Sequence, residues 1–203
     1  MVNRILWGQY HKIAQATVKV LKNEPAGQLA QISCAYGEII PLVASQANAS
    51  AITLLDVASI QLASARKKLA LLSHCPFQLI KANADELPMA DNSYNTSLLF
   101  FLLHELPLNV RSKVLKEALR ITQPSGRLVI AEYGPLREKH LFHKNKFFRS
   151  IFEKLEPFLG NFWRCDLETD IVQAAEILNK NIEVISKQYF WNGFYRLWEI
   201  RVN

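Results

Sequence analysis

The chain has 203 residues, half of them hydrophobic, and a formal net charge of +6, enough for one domain with a sizeable core. No apolar run approaches the ~18 residues that cross a bilayer; the longest, Leu98 to Leu103, fits a buried strand. Three scattered cysteines, Cys34, Cys75 and Cys165, have no CxxC spacing, which argues against a disulfide framework or a zinc site and favours a reducing, cytoplasmic location.

Ile5 to Leu21 has helical periodicity, with Ile5, Leu6, Tyr10, Ile13, Val18 and Leu21 apolar and Lys12, Gln15 and Lys19 between them. It reads as a surface helix packed on the core or as a lid near a ligand. Arg4, Gln9, His11 and Lys12 interrupt it, so it is not a secretory signal. Asn23 to Gly27 is a turn, and Gln28 to Ser33 a first strand. Helix follows to Gln46, with Pro41 in its first turn, where the missing N–H is tolerated. Asn48-Ala49-Ser50 reads as loop, Ile52 to Asp56 as the second strand, and Val57 to Leu72 as a helix. On that helix Ile60, Leu62, Ala65 and Leu69 are expected to face the core.

Phe77 to Lys81 is a third strand, and Asn83 to Ser93 a polar loop. Tyr94 to Leu103 is a fourth strand, apolar as a parallel strand covered on both faces should be. Val110 to Ile121 is a helix expected to turn Arg111, Lys113 and Lys116 to solvent. Pro124-Ser125-Gly126 turns into a fifth strand, Arg127 to Ala131, ending at Glu132-Tyr133. Ile182 to Phe190 and Phe194 to Val202 flank Trp191-Asn192-Gly193 as a hairpin. The expected fold is α/β: a doubly wound, Rossmann-like sheet of about seven strands, with a five-strand parallel core and a C-terminal antiparallel hairpin.

The stretch Leu29 to Gly37, L-A-Q-I-S-C-A-Y-G, is an apolar run ending in small residues and a glycine, and Asp56 ends the next strand 19 positions after Gly37. A strand, a tight turn onto a helix, then a strand closed by an acid is the layout of a nucleoside-binding half. A buried strand turning into a helix with no ligand has the same pattern. In open α/β sheets the ligand lies beyond the carboxyl ends of the strands. The residues there are Ser33, Cys34, Ala35, Tyr36, Gly37, Asp56, Val57, Asn83, Ala84 and Phe101, with His104, Glu132 and Tyr133 closing the fourth and fifth strands. His104 is a candidate base or metal contact, or a side chain that fixes the end of its strand. Glu132 beside a histidine and the Tyr133 phenol suits a metal or a ligand oxygen; a strand-end carboxylate in water is the alternative.

Arg137 to Lys154 carries six Lys or Arg against two acids. From Leu141 to Trp163 aromatic residues alternate with such cations, as on a membrane-interface helix, a pocket wall, or a helix with its aromatics on the sheet. Nucleic acid is not an expected partner: zinc-finger spacing and RNP-like motifs are absent.

These motifs resemble the class I S-adenosylmethionine-dependent methyltransferase family. Q-I-S-C-A-Y-G is similar to its D-V-G-C-G-x-G, with Gln31 for the acid and Ser33 and Ala35 for glycines. Asp56 matches the ribose-binding acid, Asn83 to Met89 the D-A-x-x-L-P-F loop, Tyr94-Asn95 the F-D opening of strand four, Leu103-His104 its L-H ending, and Pro124-Ser125-Gly126 the P-G-G turn. The resemblance implies a single domain over residues 1–203, with residues 1–22 as lid and 135–165 as an acceptor-side insertion. It implies S-adenosyl-L-methionine as cofactor and a lipophilic quinone as substrate, and it suits peripheral contact of 141–163 with the inner face of the membrane. A narrower resemblance, to bacterial rhodoquinone-biosynthesis proteins, rests on L-L-F-F-L-L-H-E-L-P from Leu98, D-V-A-S-I-Q-L-A from Asp56, L-E-P-F from Leu155 and F-W-R from Phe162. It implies replacement of a quinone methoxy group by an amine, assisted by Mn2+ at His104 and Glu132. Ordinary methyl transfer and a non-catalytic protein of the same fold are the alternatives.

Overall fold

The computed structural model describes residues 8–34, 37–70, 72, 75–136 and 144–203. Helix α1 (Gln9–Asn23) leads into β1 (Gly27–Ile32), α2 (Ile39–Gln46), β2 (Ala49–Asp56), α3 (Ser59–Leu69), β3 (Phe77–Lys81) and β4 (Tyr94–Phe100). A 3₁₀ turn (Leu103–Glu105), α4 (Leu108–Ile121) and β5 (Thr122–Tyr133) follow. Then come α5 (Lys146–Leu155), the single turn α6 (Leu159–Phe162), α7 (Leu167–Ile177), β6 (Ile182–Phe190) and β7 (Tyr195–Val202).

The strands form one sheet in the order β3-β2-β1-β4-β5-β7-β6. β1 to β5 pair in parallel, and β7 runs antiparallel to both β5 and β6. The expected parallel core and terminal hairpin are both present. The chain winds outward from β1 through β2 to β3, then returns to β1's other side as β4. That reversal opens a crevice at the carboxyl ends of β1 and β4, the switch point where ligands bind in such sheets. β4 and the last four residues of β1 are almost entirely buried, because helices cover both faces. α1 buries Tyr10, Ile13, Ala14, Thr17, Val18 and Leu21, the repeating stripe of an amphipathic helix.

Asn95 explains one motif position. Its Oδ1 accepts from the Gln28 N–H at 2.8 Å, and a Cβ on Gly27 (φ +56) would lie 2.3 Å from the same oxygen. The amide therefore fixes the start of β1 and requires a glycine there.

Several expectations are corrected. Ala49 and Ser50 belong to β2, because the ladder with β1 starts at Gly27–Ala49. α3 is shorter than Val57 to Leu72, and Ile60 is 79% exposed; only Ala65 and Leu69 of its four apolar positions are fully buried. β4 stops at Phe100 rather than Leu103, since Phe101 adopts φ +53 and the chain tightens into a 3₁₀ turn. β5 begins before the Pro124-Ser125-Gly126 turn, which forms an irregularity in the ladder with Ser125 at φ +63. Arg111 is buried because α7 packs over α4. The start of the N-terminal helix, with Trp7, lies outside the described residues.

The Leu87-Pro88-Met89 loop is clamped by α4. Arg120 donates to the Met89 and Leu87 carbonyls at 2.7 and 3.0 Å, to Asp91 at 2.6 Å and to both oxygens of Glu117. Glu117 in turn accepts the Leu87 N–H at 2.7 Å. Arg120→Met leaves two carbonyls and two carboxylates, Glu117 and the exposed Asp91, short of donors. It is expected to lower unfolding stability by about 2–3 kcal/mol, read from urea denaturation; a loss below about 0.5 kcal/mol would mean the loop is held by other contacts.

Candidate active site

The ends of β4 and β5 are joined through one carboxylate. Glu132 is 1% exposed. Its Oε2 accepts the backbone N–H groups of Leu103 and His104 at 2.9 and 3.3 Å, and its Oε1 accepts from the Tyr133 N–H at 2.7 Å. These include the first donors of the 3₁₀ turn, groups that a helix start leaves without partners. The same Oε1 lies 2.7 Å from His104 Nδ1. On the other side of the ring, His104 Nε2 lies 3.0 Å from Glu156 Oε2 as an ion pair. Glu156 Oε1 accepts from the Tyr133 hydroxyl at 3.2 Å.

Burial disfavours a charged imidazole at His104, but the Glu132 and Glu156 carboxylates outweigh it and raise its pKa to about 10. His104 is therefore an imidazolium at neutral pH. The Tyr133 hydroxyl is pushed well above its ordinary value, chiefly by burial and then by Tyr195, Glu156 and Glu132; it stays a neutral donor.

Around this network lies an aromatic wall. Phe101 stacks on Tyr10 with ring centroids 6.2 Å apart and meets Tyr133, Tyr195 and His104 edge-on at 5.7, 5.5 and 6.1 Å. A bulky residue in the left-handed region is strained. Phe101 is held there by this packing and by its N–H bond to Ala131 O at 2.8 Å.

A second cluster is built at the ends of β1 and β2, where the sequence pattern places a nucleoside turn. Ser33 takes φ +77 in the place of a glycine, and its N–H donates to Leu55 O at 2.8 Å. The Cys34 N–H donates to Asp56 Oδ2, and the Ala58 N–H to Asp56 Oδ1, both at 2.8 Å. Each carboxylate oxygen keeps acceptor capacity, and Asp56 is only half-buried. Burial and the Asp56 charge push the Cys34 thiol up to about 12, so it is not a nucleophile. Gln31 is fully buried; its Nε2 donates to Ser33 O at 3.3 Å, and its Oε1 has no partner. A Cβ at Gly37 (φ +88) would lie 2.7 Å from the Tyr10 hydroxyl oxygen, so α1 sits directly on the turn. His11 and Glu38 make a second contact between them, at 3.1 Å.

The structure thus gathers His104, Glu132, Tyr133 and Phe101 in one cluster, and Ser33, Cys34 and Asp56 in another on the same edge of the sheet. Val57 is 64% exposed, Asn83 is exposed and Ala84 half-buried, beside a bridge between Asn83 and Glu86. Ala35 and Tyr36 lie outside the described residues. The alternative of Glu132 as a solvated strand-end acid is overturned by its burial. Mn2+ at His104 and Glu132 gains no support: among the described residues no group of three or more His, Cys, Asp or Glu is placed to hold a metal.

Sequence reasoning gave no part to Glu156, Arg111, Tyr195 or Arg196. Within the basic aromatic segment, Phe162 and Trp163 are fully buried against the site rather than offered to lipid. Leu155 and Phe158 are exposed. Leu141 and Phe142, and the side chains of Phe147, Phe148, Ile151 and Phe152, lie outside the described residues.

Residues 30–130 match the family model described as a methyltransferase domain. The chain is similar to the ubiquinone/menaquinone biosynthesis C-methyltransferase UbiE of Geotalea daltonii, with 27% identity over 168 residues, 80% of this chain and 68% of that protein. It is 30% identical to the UbiE protein of Rickettsia felis over 145 residues, 70% of this chain but only 53% of the relative's length. Among solved structures, the N-methyltransferase NodS of Bradyrhizobium japonicum in complex with S-adenosyl-L-homocysteine superposes with a TM-score of 0.64. Its identity is 13%, over 96% of this chain and 85% of that one, a likeness of fold alone.

The raised pKa of His104 has a consequence for stability. The unfolded chain releases this proton near pH 6.5 and the folded chain near 10, so the folded state holds the extra proton between those values. The contribution is complete below pH 6.5 and is lost as pH rises through about 10, with a slope of up to about 1.4 kcal/mol per pH unit. Urea midpoints measured from pH 6 to 10 are expected to fall in the wild type and to fall less steeply in His104→Gln. Parallel curves for the two proteins would remove the charged imidazole from the account.

Proposed function

We propose that this chain, which belongs to the class I S-adenosylmethionine-dependent methyltransferase family, moves a methyl group from that cofactor to the ring of a lipophilic quinone precursor. The observation that carries the reading is the buried Glu132–His104 pair with half-buried Glu156 beyond it, set beside the Ser33–Asp56 turn on one edge of the sheet.

The chain's residues fit the cofactor. Asp56 has acceptor capacity left for the ribose hydroxyls, and the unpartnered Gln31 Oε1 offers an acceptor for the amino group. Bound there, S-adenosylmethionine supplies an electrophilic methyl group. A hydroquinone ring carbon becomes a good nucleophile once a neighbouring hydroxyl ionises. His104, held as a cation by Glu132, offers its Nε2–H to the developing phenolate. Glu156, displaced from that nitrogen, takes the phenolic proton, and Tyr133 donates to the same carboxylate. Glu156 sits beside exposed Lys154, Leu155 and Phe158, where a lipophilic substrate can approach. No described helix is long and apolar enough to cross a membrane, so the contact we propose is peripheral.

A second reading, replacement of a methoxy group by an amine, is favoured by Gln31. A carboxylate at that buried position would hold the cofactor's amino group as an ammonium; a neutral amide does so less, leaving the amine closer to its nucleophilic form.

Calorimetric titration should give an S-adenosylmethionine affinity that Asp56→Asn weakens ten- to a hundredfold, about 1.4–3 kcal/mol; unchanged affinity would place the ribose elsewhere. Product mass after incubation with quinone substrates in detergent separates the two chemistries, and no turnover with any of them would leave a binding protein. His104→Gln is expected to lower kcat at neutral pH and to approach the wild-type rate as pH rises towards the phenol's own pKa. A pH-independent ratio of the two rates would rule out phenolate stabilisation by His104.

A further inference from the structure

Arg196 stands directly across the β5–β7 ladder from Glu132. It is 2% exposed, and its guanidinium lies over the rings of Phe162 and Trp198, each at 5.1 Å. Its Nε and Nη2 meet no oxygen acceptor, only the weakly accepting sulfur of Cys165, and the buried Nε1 of Trp198 has no partner. Nε and Nη2 are the two parallel donors on one edge of the guanidinium, the fork that matches both oxygens of a carboxylate. Leaving such donors buried and unpaired is costly.

These two side chains line a cavity of about 310 Å3, together with Pro135, Trp163, Tyr189 and Arg164 among others. Two acids, Asp166 and Glu168, also line the cavity, and both are engaged elsewhere. Asp166 caps α7 by accepting from the Glu168 N–H at 3.1 Å and the Thr169 hydroxyl at 2.8 Å, and Glu168 pairs with Lys187. The cavity therefore combines aromatic walls with a buried cation to which no carboxylate oxygen is hydrogen-bonded. Its volume is at the small end of ligand pockets, room for about one ring.

We infer that this cavity is a binding site for a small aromatic carboxylate, separate from the crevice at the ends of β1 and β2. The carboxylate meets the Arg196 fork, the ring packs between Trp163, Trp198 and Tyr189, and the Trp198 indole N–H donates to an oxygen. Nothing in this site depends on the proposed methyl transfer.

Benzoate is the probe and benzyl alcohol its uncharged control, titrated into the full chain by calorimetry and by tryptophan fluorescence. Benzoate is expected to bind saturably, and more tightly than the alcohol. Arg196→Gln should weaken benzoate at least tenfold and leave the alcohol unchanged. Trp198→Phe, which keeps the ring plane and deletes the N–H, should weaken benzoate several-fold and serves if Arg196→Gln does not fold. S-adenosylmethionine should not compete. No saturable benzoate binding, equal affinity for benzoate and alcohol, or an affinity untouched by the variants would overturn the inference.

Discussion

A buried carboxylate survives only where donors surround it, and the functional edge of this molecule depends on one such group. Glu132 collects three backbone N–H groups and an imidazole N–H within a site that excludes water. Its hydrogen bonds fasten the 3₁₀ turn after β4 to the end of β5, and so fix where the chain leaves both strands. Removing one partner from such a pair costs about 3–5 kcal/mol, because the other charge is left stranded. The pairing also sets the chemistry. Glu132 holds Nδ1, so the opposite nitrogen faces Glu156.

The same constraint accounts for the strained residue beside it. With the turn pinned by Glu132, Phe101 has to reverse the chain within one residue of β4's end, and it does so at φ +53. That conformation costs about 1–3 kcal/mol. Edge-to-face contacts with Tyr133 and Tyr195 and the stack on Tyr10 offset it. Tyr10 also closes over Gly37, so one side chain of α1 touches both the nucleoside turn and the aromatic wall. The two halves of the candidate site are mechanically linked through that helix.

The sheet was legible because its central strands are covered on both faces and read as apolar runs, and because an acid or a histidine follows the runs of β2, β4 and β5. Strand ends in a parallel sheet share an edge, so Asp56, His104, Glu132 and Tyr133 follow from position alone. Pairing across distant segments does not. Glu156 is separated from His104 by 52 positions, and nothing in its local pattern marks it as a partner. Arg111 sits at a position that helical spacing assigns to solvent, and only the later packing of α7 buries it, with Asp170 at 3.8 Å and the Phe162 ring at 5.2 Å. Arg196 interrupts an apolar strand, the signal that was available. Strand alternation puts it on one face with Trp198, but the cavity beside it is made by segments far away in the chain.

The three amides that replace acids in the motifs behave differently once placed, and that difference bears on reaction type. Asn95 is architectural, since its oxygen holds the Gln28 N–H and its bulk demands Gly27. Asn83 is exposed, where an amide and a carboxylate differ little in desolvation cost. Gln31 alone is fully buried, with one end tied to the turn and the other unpartnered. A carboxylate there would need a cation for company, and a bound ammonium is the natural one. An amide binds the same group without insisting on its proton. The fold is common to many activities, and of the three positions Gln31 is the one where the choice between acid and amide changes a buried charge.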